Sequence, residues 1–352
     1  MLHALFALTA LSPAPAARPQ EPASALTAAH SQPPTELYDV VRVVDGDTLH
    51  VQRGERVVKL RLLSVDTEEK LTGRPGNGGS KPETLYGQEC ADWAVAFFEE
   101  QREGDAPARV GLRFPGGVER NDIYGRLLCH VILADGTDFN VMLVETGRSP
   151  YFNKYGHSLI AHEAFLAAQA KAKAAGLGIW DPAVNAPKTP GAPSAKRPYE
   201  ALLPWWQVRA EAVDAFRARA AKDPGRFVAA DDPDGLRAAF ERCGADPEHR
   251  VEIFGSIDRF FDEDDGSWTI LFRSGSKRDG VRIAVPKASR AAYAELDLVG
   301  RTEEFRQNYL TVTGRLVRGS RGYRLQVESI GDWRVAGAEP ELPAPREAAA
   351  DR

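Results

Sequence analysis

The chain has 352 residues, a formal net charge of −5, 43% hydrophobic residues and 27% charged residues. This composition is that of a globular protein and excludes a fully disordered or collagen-like chain. No apolar run approaches the ~20 residues of a bilayer span, so a multispan membrane protein is also excluded. The length predicts about two domains. The negative charge means that no general positive field draws the chain to a polyanion.

The first residues resemble a secretory signal peptide. An apolar run from Leu2 to Leu11 is followed by small residues that include Ala14, Ala16 and Ala17. This pattern predicts a signal peptide over residues 1–17 and an exported protein, whether periplasmic, secreted or cell-surface. The alternatives are a disordered Ala/Pro-rich leader or a start codon placed too early.

Three further breaks in composition divide the remaining sequence. Residues 18–35 are rich in Ala and Pro and are predicted to be a disordered stalk. Proline recurs over 183–198 without an apolar period, which predicts a linker. A Glu/Pro/Ala-rich stretch over 337–352 predicts a disordered tail. Two modules remain, 36–182 and 199–336.

The cysteines do not decide the compartment. Their number is odd and no pair has C-x-x-C spacing, so they predict neither a disulfide framework nor a zinc site. Two states stay open for Cys90, Cys129 and Cys243. Either two of them form a disulfide and the third is a free thiol, or all three are buried thiols.

The first module alternates short apolar strands with helices. The order of three strands, a helix, two strands and two further helices predicts a mainly β protein with packed helices (α+β), built on a five-stranded OB-type barrel. The predicted strands are Tyr38–Val44, Leu49–Arg53, Val57–Val65, Ala108–Phe114 and Gly125–Leu133. The predicted helices are Gly87–Gln101, Phe139–Thr146 and Ser158–Ala175.

The second module begins with two predicted helices, Pro204–Ala221 and Asp234–Cys243. Three strands, an Ala-rich helix over Ser289–Leu298 and two more strands then suggest a second, OB-like barrel. Such barrels host many functions. Arginines and aromatics around Tyr323 are of the kinds that line a nucleic-acid groove, and a protein partner also stays open; the alternative is an ordinary barrel with a charged exterior.

Chemistry-bearing residues cluster in three connections of the first module, at 45–48, 61–69 and 122–126. Each cluster alone is ordinary, because Asp-Gly is a common turn pair and exposed charges are frequent. Together they are more informative. Asp47 and Asp66 supply the hard oxygen ligands that Ca²⁺ prefers, and Thr67 can add a carbonyl or hydroxyl.

Two arginines and a glutamate complete this set. Arg61 lies in an apolar strand, where a guanidinium is costly unless it meets an anion. Arg126 is a second candidate for the same anion, and Glu69 lies just past the acidic residues. A cation, two arginines and a carboxylate base are the parts that hydrolyse a phosphodiester.

These motifs resemble the staphylococcal nuclease (thermonuclease) family, in order and in spacing, across the first module only. The matching segments are V-x-D-G-D-T at 43–48, R-L-L-x-V-D-T at 61–67, Y-G at 86–87, D-x-Y-G-R at 122–126, A-D-G at 134–136 and G-L-G-I-W at 176–180. The resemblance implies an OB-type barrel and Ca²⁺-dependent hydrolysis of DNA and RNA.

The resemblance also implies roles for individual residues. Asp47 and Asp66 would bind Ca²⁺ through carboxylates and Thr67 through its carbonyl, with Asp45 as an acid near the metal. Arg61 and Arg126 would hold the scissile phosphate, and Glu69 would be the general base. Tyr124 would line the nucleotide pocket, together with either Tyr151 or Tyr155.

The sequence departs from the family pattern at two positions that bear on the site. Glu68 stands where the family usually has proline, which puts an extra charge beside the metal. Ile123 replaces a residue that is often basic. These departures bear on rate, metal preference and substrate choice.

Two other functions stay open from the sequence. One is a catalytically weak or silent barrel that binds nucleic acid or protein. The other is a hydrolase of a different phosphodiester, because a phosphate clamp reads the phosphate and not the base. The joint presence of the acids and arginines favours the nuclease.

Overall fold

The computed structural model describes residues 32–72, 81–186, 197–275 and 280–343. The predicted signal peptide lies outside the described residues, as do most of the predicted stalk and the end of the predicted tail.

The first domain is a closed barrel of five strands. Its strand order is β1-β2-β3-β5-β4, with β3 and β5 parallel and the other pairs antiparallel. This is the order of an OB-type barrel and confirms the predicted fold. The strands are β1 (Tyr38–Asp45), β2 (Thr48–Arg53), β3 (Arg56–Leu62), β4 (Arg109–Arg113) and β5 (Leu127–Leu133).

Three α-helices pack on this barrel: α1 (Leu85–Glu100), α2 (Phe139–Glu145) and α3 (His162–Ala174). Short 3₁₀ helices lie at Pro115–Gly117 and Gly178–Trp180. Helix α3 starts four residues later than predicted. The reason is a turn in which Ser158 Oγ accepts from the backbone N–H of Ile160 and Ala161, and such local bonds compete with helix.

The second domain contains another five-stranded barrel, which confirms the second predicted module fold. It closes as β7-β8-β9-β11-β10, since β10 also pairs with β7, and β9 and β11 are parallel. Its strands are β7 (Val251–Asp262), β8 (Trp268–Phe272), β9 (Val281–Val285), β10 (Tyr309–Arg318) and β11 (Tyr323–Gln326). Two three-residue strands that the sequence did not predict, β6 (Phe227–Ala229) and β12 (Trp333–Val335), extend it.

Helices α4 (Tyr199–Ala220) and α5 (Pro233–Ala245) precede this barrel. The predicted start of α4 at Pro204 is wrong by five residues. Proline favours the first helical turn, but here it lies inside the helix. The extra turn forms because Tyr199 and Leu202 are buried in one cluster with Ile179 of the first domain.

The Ala-rich segment predicted as a helix forms a 3₁₀ helix over Lys287–Leu296. Two more lie at Gly300–Thr302 and Ile330–Asp332. Among the described residues, no helix is both long and apolar enough to cross a membrane.

Helix α4 joins the two domains. The Trp206 ring meets the Phe152 ring edge to face with centroids 4.8 Å apart, and His157 Nδ1 lies 2.6 Å from Asp214 Oδ2. The Arg209 Nε donates to the Lys154 carbonyl at 3.2 Å. The segment after α2 is therefore covered by the second domain.

The three cysteines are free and buried, which is the second of the two alternatives that the sequence left open. Ordered contacts extend into the predicted tail, because Glu339 accepts from Arg301 Nη1 at 2.6 Å and from the Gln307 backbone N–H at 2.9 Å.

Candidate active site

The turn between β1 and β2 places the first two acids. Asp45 pairs with Thr48 across this turn. A Cβ atom on Gly46 would lie 2.6 Å from Thr67 Cγ2, so only glycine lets Thr67 pack on the turn. The Thr67 backbone N–H donates to Asp47 Oδ2 at 3.0 Å. The two sequence motifs therefore meet at one point.

Arg61 links the acids. Strand pairing sets Arg61 opposite Thr48, and its guanidinium reaches Asp47 Oδ1 at 2.5 Å and Asp66 Oδ1 at 2.9 Å. Burial acts to lower the pKa of Arg61, but the Asp47 and Asp66 carboxylates outweigh it and raise that pKa above its ordinary value. The guanidinium in the apolar strand thus meets the anions that its position requires.

Asp66 is an enclosed acid of the site, with 2% of its surface exposed. Ser149 Oγ accepts from its backbone N–H at 2.8 Å. Burial acts to raise the pKa of the Asp66 carboxyl, yet the charges of Arg197, Lys81 and Arg61 outweigh it and lower that pKa well below its usual range. The carboxylate is therefore ionised.

Arg197 and Lys81 are site residues that the sequence analysis missed. Arg197 Nη2 lies 2.8 Å from Asp66 Oδ2, and Lys81 Nζ lies 2.9 Å from Asp66 Oδ1. Arg197 falls within the predicted linker, where no periodicity or motif marks it. Only the packing of α4 on the first domain brings it to Asp66.

Asp45 lies behind Asp47 and accepts the Asp47 backbone N–H at 3.2 Å. Burial, and then the charge of Asp47, raise the pKa of Asp45 to about 7. Asp45 and Asp47 therefore lie together in the β1–β2 turn, where Arg61 contacts Asp47.

Glu69 is the accessible carboxyl of the site, with 41% of its side chain exposed and Lys81 Nζ 3.8 Å away. The Thr84 backbone N–H donates to the Glu69 carbonyl at 3.0 Å. A Cβ atom on Gly87 would lie 2.2 Å from that same oxygen, so the first turn of α1 fixes the Glu69 backbone. Partial burial raises the pKa of Glu69, and Lys81 opposes that rise.

Glu68, the residue that stands where the family usually has proline, is held by three neutral hydrogen-bond donors. Its buried carboxylate accepts from Thr84 Oγ1 at 2.5 Å, from Asn185 Nδ2 at 2.6 Å and from the Tyr199 hydroxyl at 3.1 Å. Since α4 supplies one of these donors, the departure from proline forms a contact between the two domains.

Arg126 and Tyr124 lie on the turn that leads into β5. Leu127 pairs with Leu60, the neighbour of Arg61, so the turn ends beside the arginine strand. Arg126 Nε lies 2.7 Å from Asp122 Oδ2 and its guanidinium is 5.6 Å from the Tyr124 ring. Tyr124 is 72% exposed, as a ring that receives a base would be.

The two candidate tyrosines after α2 have different surroundings. Tyr151 is 2% exposed and stacks on Phe165 at 4.8 Å, with its hydroxyl 2.9 Å from His162 Nδ1. Its side chain is therefore part of the buried core. Tyr155 is 43% exposed and lies 5.1 Å beneath the guanidinium of Arg273, so Tyr155 is the accessible one.

The donors present suit a hard cation. Asp47, Asp66 and the Thr67 carbonyl offer oxygen donors that lie close together, since the Thr67 backbone N–H donates to Asp47 Oδ2 and Arg61 contacts both carboxylates. No group of three His, Cys, Asp or Glu side chains forms a metal cage within the described part of the chain. A cation held here would complete its shell with carbonyl, water or phosphate oxygens.

Comparisons with known proteins agree with this geometry. The sequence model of the family described as "Staphylococcal nuclease homologue" matches residues 59–182. The chain is 33% identical over 153 residues to Endonuclease YhcR of Bacillus subtilis, covering 42% of this chain and only 12% of that protein. It is 31% identical over 148 residues to the thermonuclease of Staphylococcus intermedius, covering 42% of this chain and 77% of that protein.

A protein of Methanocaldococcus jannaschii with no assigned function, MJ1439, is 30% identical over 151 residues, covering 40% of this chain and 70% of that protein. The segment that matches the family model contains Arg61, Asp66, Glu69 and Arg126. Through this first domain, the chain belongs to the staphylococcal nuclease family, and the domain is a hydrolase domain of the nuclease type.

Proposed function

We propose that the protein hydrolyses phosphodiester bonds of DNA, RNA or both, with Ca²⁺ held by Asp47, Asp66 and the Thr67 carbonyl. The observation that carries this proposal is Arg61, which is held between Asp47 and Asp66 by contacts of 2.5 and 2.9 Å on the side of the barrel where Glu69 is exposed. A bound divalent cation would supply positive charge to the phosphoryl oxygens and to a water molecule.

The arginines hold the phosphate. Arg61 is fixed by two ion pairs and keeps its charge, so it offers N–H donors without reorganising during the reaction. Arg126 is fixed at Nε by Asp122, which leaves its Nη groups to approach a second phosphoryl oxygen. Charge that develops on these oxygens is therefore met by two preorganised cations.

Glu69 takes the proton from the attacking water. Its side chain is accessible and its pKa is raised by partial burial, which brings a carboxylate closer to the basicity that general-base catalysis requires. The backbone contacts with Thr84 and Gly87 fix the position from which the carboxylate acts.

Tyr124 and Tyr155 contact the nucleotide bases. Both rings are exposed, and an aromatic ring stacks on any base without reading its identity. Arg273 beside Tyr155 adds a cation from the second domain at this position.

The test is a zymogram of the purified protein on DNA and on RNA, with Ca²⁺ and after chelation. We expect cleavage with Ca²⁺ that stops when the metal is removed. An intact protein that leaves both polymers uncut with Ca²⁺ would overturn the proposal.

A catalytically silent nucleic-acid-binding barrel is the second candidate. It is favoured by the fact that both Asp66 carboxylate oxygens are already taken by Arg61, Lys81 and Arg197. Retention of a labelled oligonucleotide without cleavage would select this function.

A further inference from the structure

Asp66 is neutralised from two domains. Its Oδ1 atom accepts from Arg61 and Lys81, both at 2.9 Å, and its Oδ2 atom accepts from Arg197 at 2.8 Å. Arg197 precedes the first residue of α4, so one of the three cations comes from the segment that leads into the second domain. No contact within the first domain alone supplies it.

Arg197 is held in this position by more than one ion pair. Its Nη1 atom also donates to the Asp66 carbonyl at 3.2 Å. Its guanidinium lies 5.5 Å from the Tyr199 ring and 5.8 Å from the Trp206 ring, both buried side chains of α4. The arginine is therefore part of the packed interface between the domains.

Lys81 differs from Arg197 in how exposed its side chain is. Its side chain is 37% exposed, whereas the Arg197 side chain is 2% exposed. A lysine with an accessible ammonium can turn into solvent when another cation approaches Asp66. Arg197 cannot withdraw in this way unless α4 moves, so its charge stays at the carboxylate.

A fixed positive charge in contact with a metal ligand acts against a second cation there. It lowers the electron-donating capacity of the carboxylate oxygen that it binds, and it repels a divalent ion directly. This repulsion is only weakly screened because the arginine is buried.

We propose that Arg197 is a positioning residue that orients Asp66 and lowers the affinity of the site for divalent cations. This inference rests on the metal site of the proposed function, and it adds that the second domain sets the metal affinity of the first. The metal requirement of this protein is then a property of the whole chain.

The test measures Ca²⁺ binding to the full-length, chelator-treated protein by isothermal titration calorimetry, with no nucleic acid present. Arg197→Met removes the charge at similar side-chain length. We expect this variant to bind Ca²⁺ at least tenfold more tightly than the parent protein. Arg197→Lys keeps the charge and is the matched control, with an affinity within threefold of the parent.

A second uncharged variant distinguishes the effect of the lost charge from an effect of misfolding. Arg197→Gln keeps an N–H donor for Asp66, and it too should bind Ca²⁺ more tightly. If the Met and Gln variants have the parent's circular dichroism and bind Ca²⁺ no more tightly than the parent, the inference is overturned. Because no substrate is present, this result is independent of whether the parent cleaves DNA or RNA.

Discussion

Single residues carry the chemistry of the site because the barrel register brings distant positions together. Arg61 is the clearest case, since its planar guanidinium presents N–H donors in fixed directions to two carboxylates at once. The sequence predicted that Arg61 needs an anion, and its contacts with Asp47 and Asp66 agree with that reasoning. Arg197 could not be predicted, because its role depends on how one domain packs on another.

Replacement of Arg61 by Lys tests this preorganisation. We expect the rate of a single turnover to fall by about 100-fold or more, equivalent to about 3 kcal/mol of transition-state stabilisation. The measurement is rapid-quench cleavage of a labelled oligonucleotide at saturating protein.

The matched control for that substitution is Arg53→Lys. Arg53 makes a bidentate pair with Glu119 on the surface, and we expect its replacement to leave the rate within twofold. Equal rates for both variants would show that Arg61 does not contact the phosphate.

Gly87→Ala tests how the backbone of Glu69 is fixed. The added Cβ atom would lie 2.2 Å from the Glu69 carbonyl, so the helix start and Glu69 must separate. We expect a loss of at least tenfold in turnover and a lower melting temperature. The control is Gly244→Ala in α5, where a Cβ atom meets nothing within 4 Å and alanine favours helix. If the Gly87 variant is as active as the Gly244 variant, Glu69 does not depend on this contact.

At the scale of elements, alternating apolar residues made the barrel strands predictable. In the second module the sequence predicts strands over Trp268–Phe272 and Val281–Val285, and these are the bounds of β8 and β9. The elements that sequence reasoning missed are short or depend on partners. Strands β6 and β12 have three residues each, too few to show a period of two. The first turn of α4 exists because Tyr199 and Leu202 pack on the other domain.

The packing of α4 on the first domain also encloses a charge. Lys154 Nζ lies 4.3 Å from the Trp205 ring, and burial, then the charges of Arg209 and Arg273, lower its pKa to about 7. Below pH 7 this lysine is protonated in both the folded and unfolded states, so the folded state bears the cost of a buried charge. Between pH 7 and the unfolded pKa, only the unfolded state keeps the proton, and stability rises with pH.

Lys154→Met should therefore stabilise the protein more in acid than in base. We expect the free energy of unfolding to rise by about 1–4 kcal/mol at pH 6 and by much less at pH 9. Urea denaturation at the two pH values measures the difference. The control is Lys222→Met, because the exposed ammonium of Lys222 stays hydrated in the folded state and its removal relieves no cost of burial. A gain for Lys154→Met that is the same at both pH values would contradict the assignment.

At the scale of the molecule, two barrels of identical strand order share an interface to which α4 contributes Trp206 and the segment after β8 contributes Arg273. Both barrels were predictable from their strand and turn patterns, but the placement of one barrel on the other was not. The residues that fix this placement lie far apart in the sequence, at Glu68, Phe152, Arg197 and Trp206. The second domain reaches the active site through these residues.

Trp206→Ala tests whether the domains stabilise each other. The indole is buried against Phe152, and its loss should cost about 3–5 kcal/mol. We expect faster amide hydrogen exchange in both domains. Trp268→Ala is the control, since Trp268 packs on Phe260 and Arg290 of the second barrel and should affect that barrel alone. Unchanged exchange in the first domain of the Trp206 variant would show that the domains are independent.

Glu68 has one further consequence. Asn185, near the end of the first domain, and Tyr199, at the start of α4, donate to different oxygens of this one carboxylate. The chain thus approaches the same carboxylate on both sides of this connection, and a covalent connection raises the effective concentration of one domain at the other. A protein cut within that connection would stay associated at high protein concentration. Dilution would then separate the second domain from the nuclease site, and Arg197 would leave with the second domain if the cut lies before it.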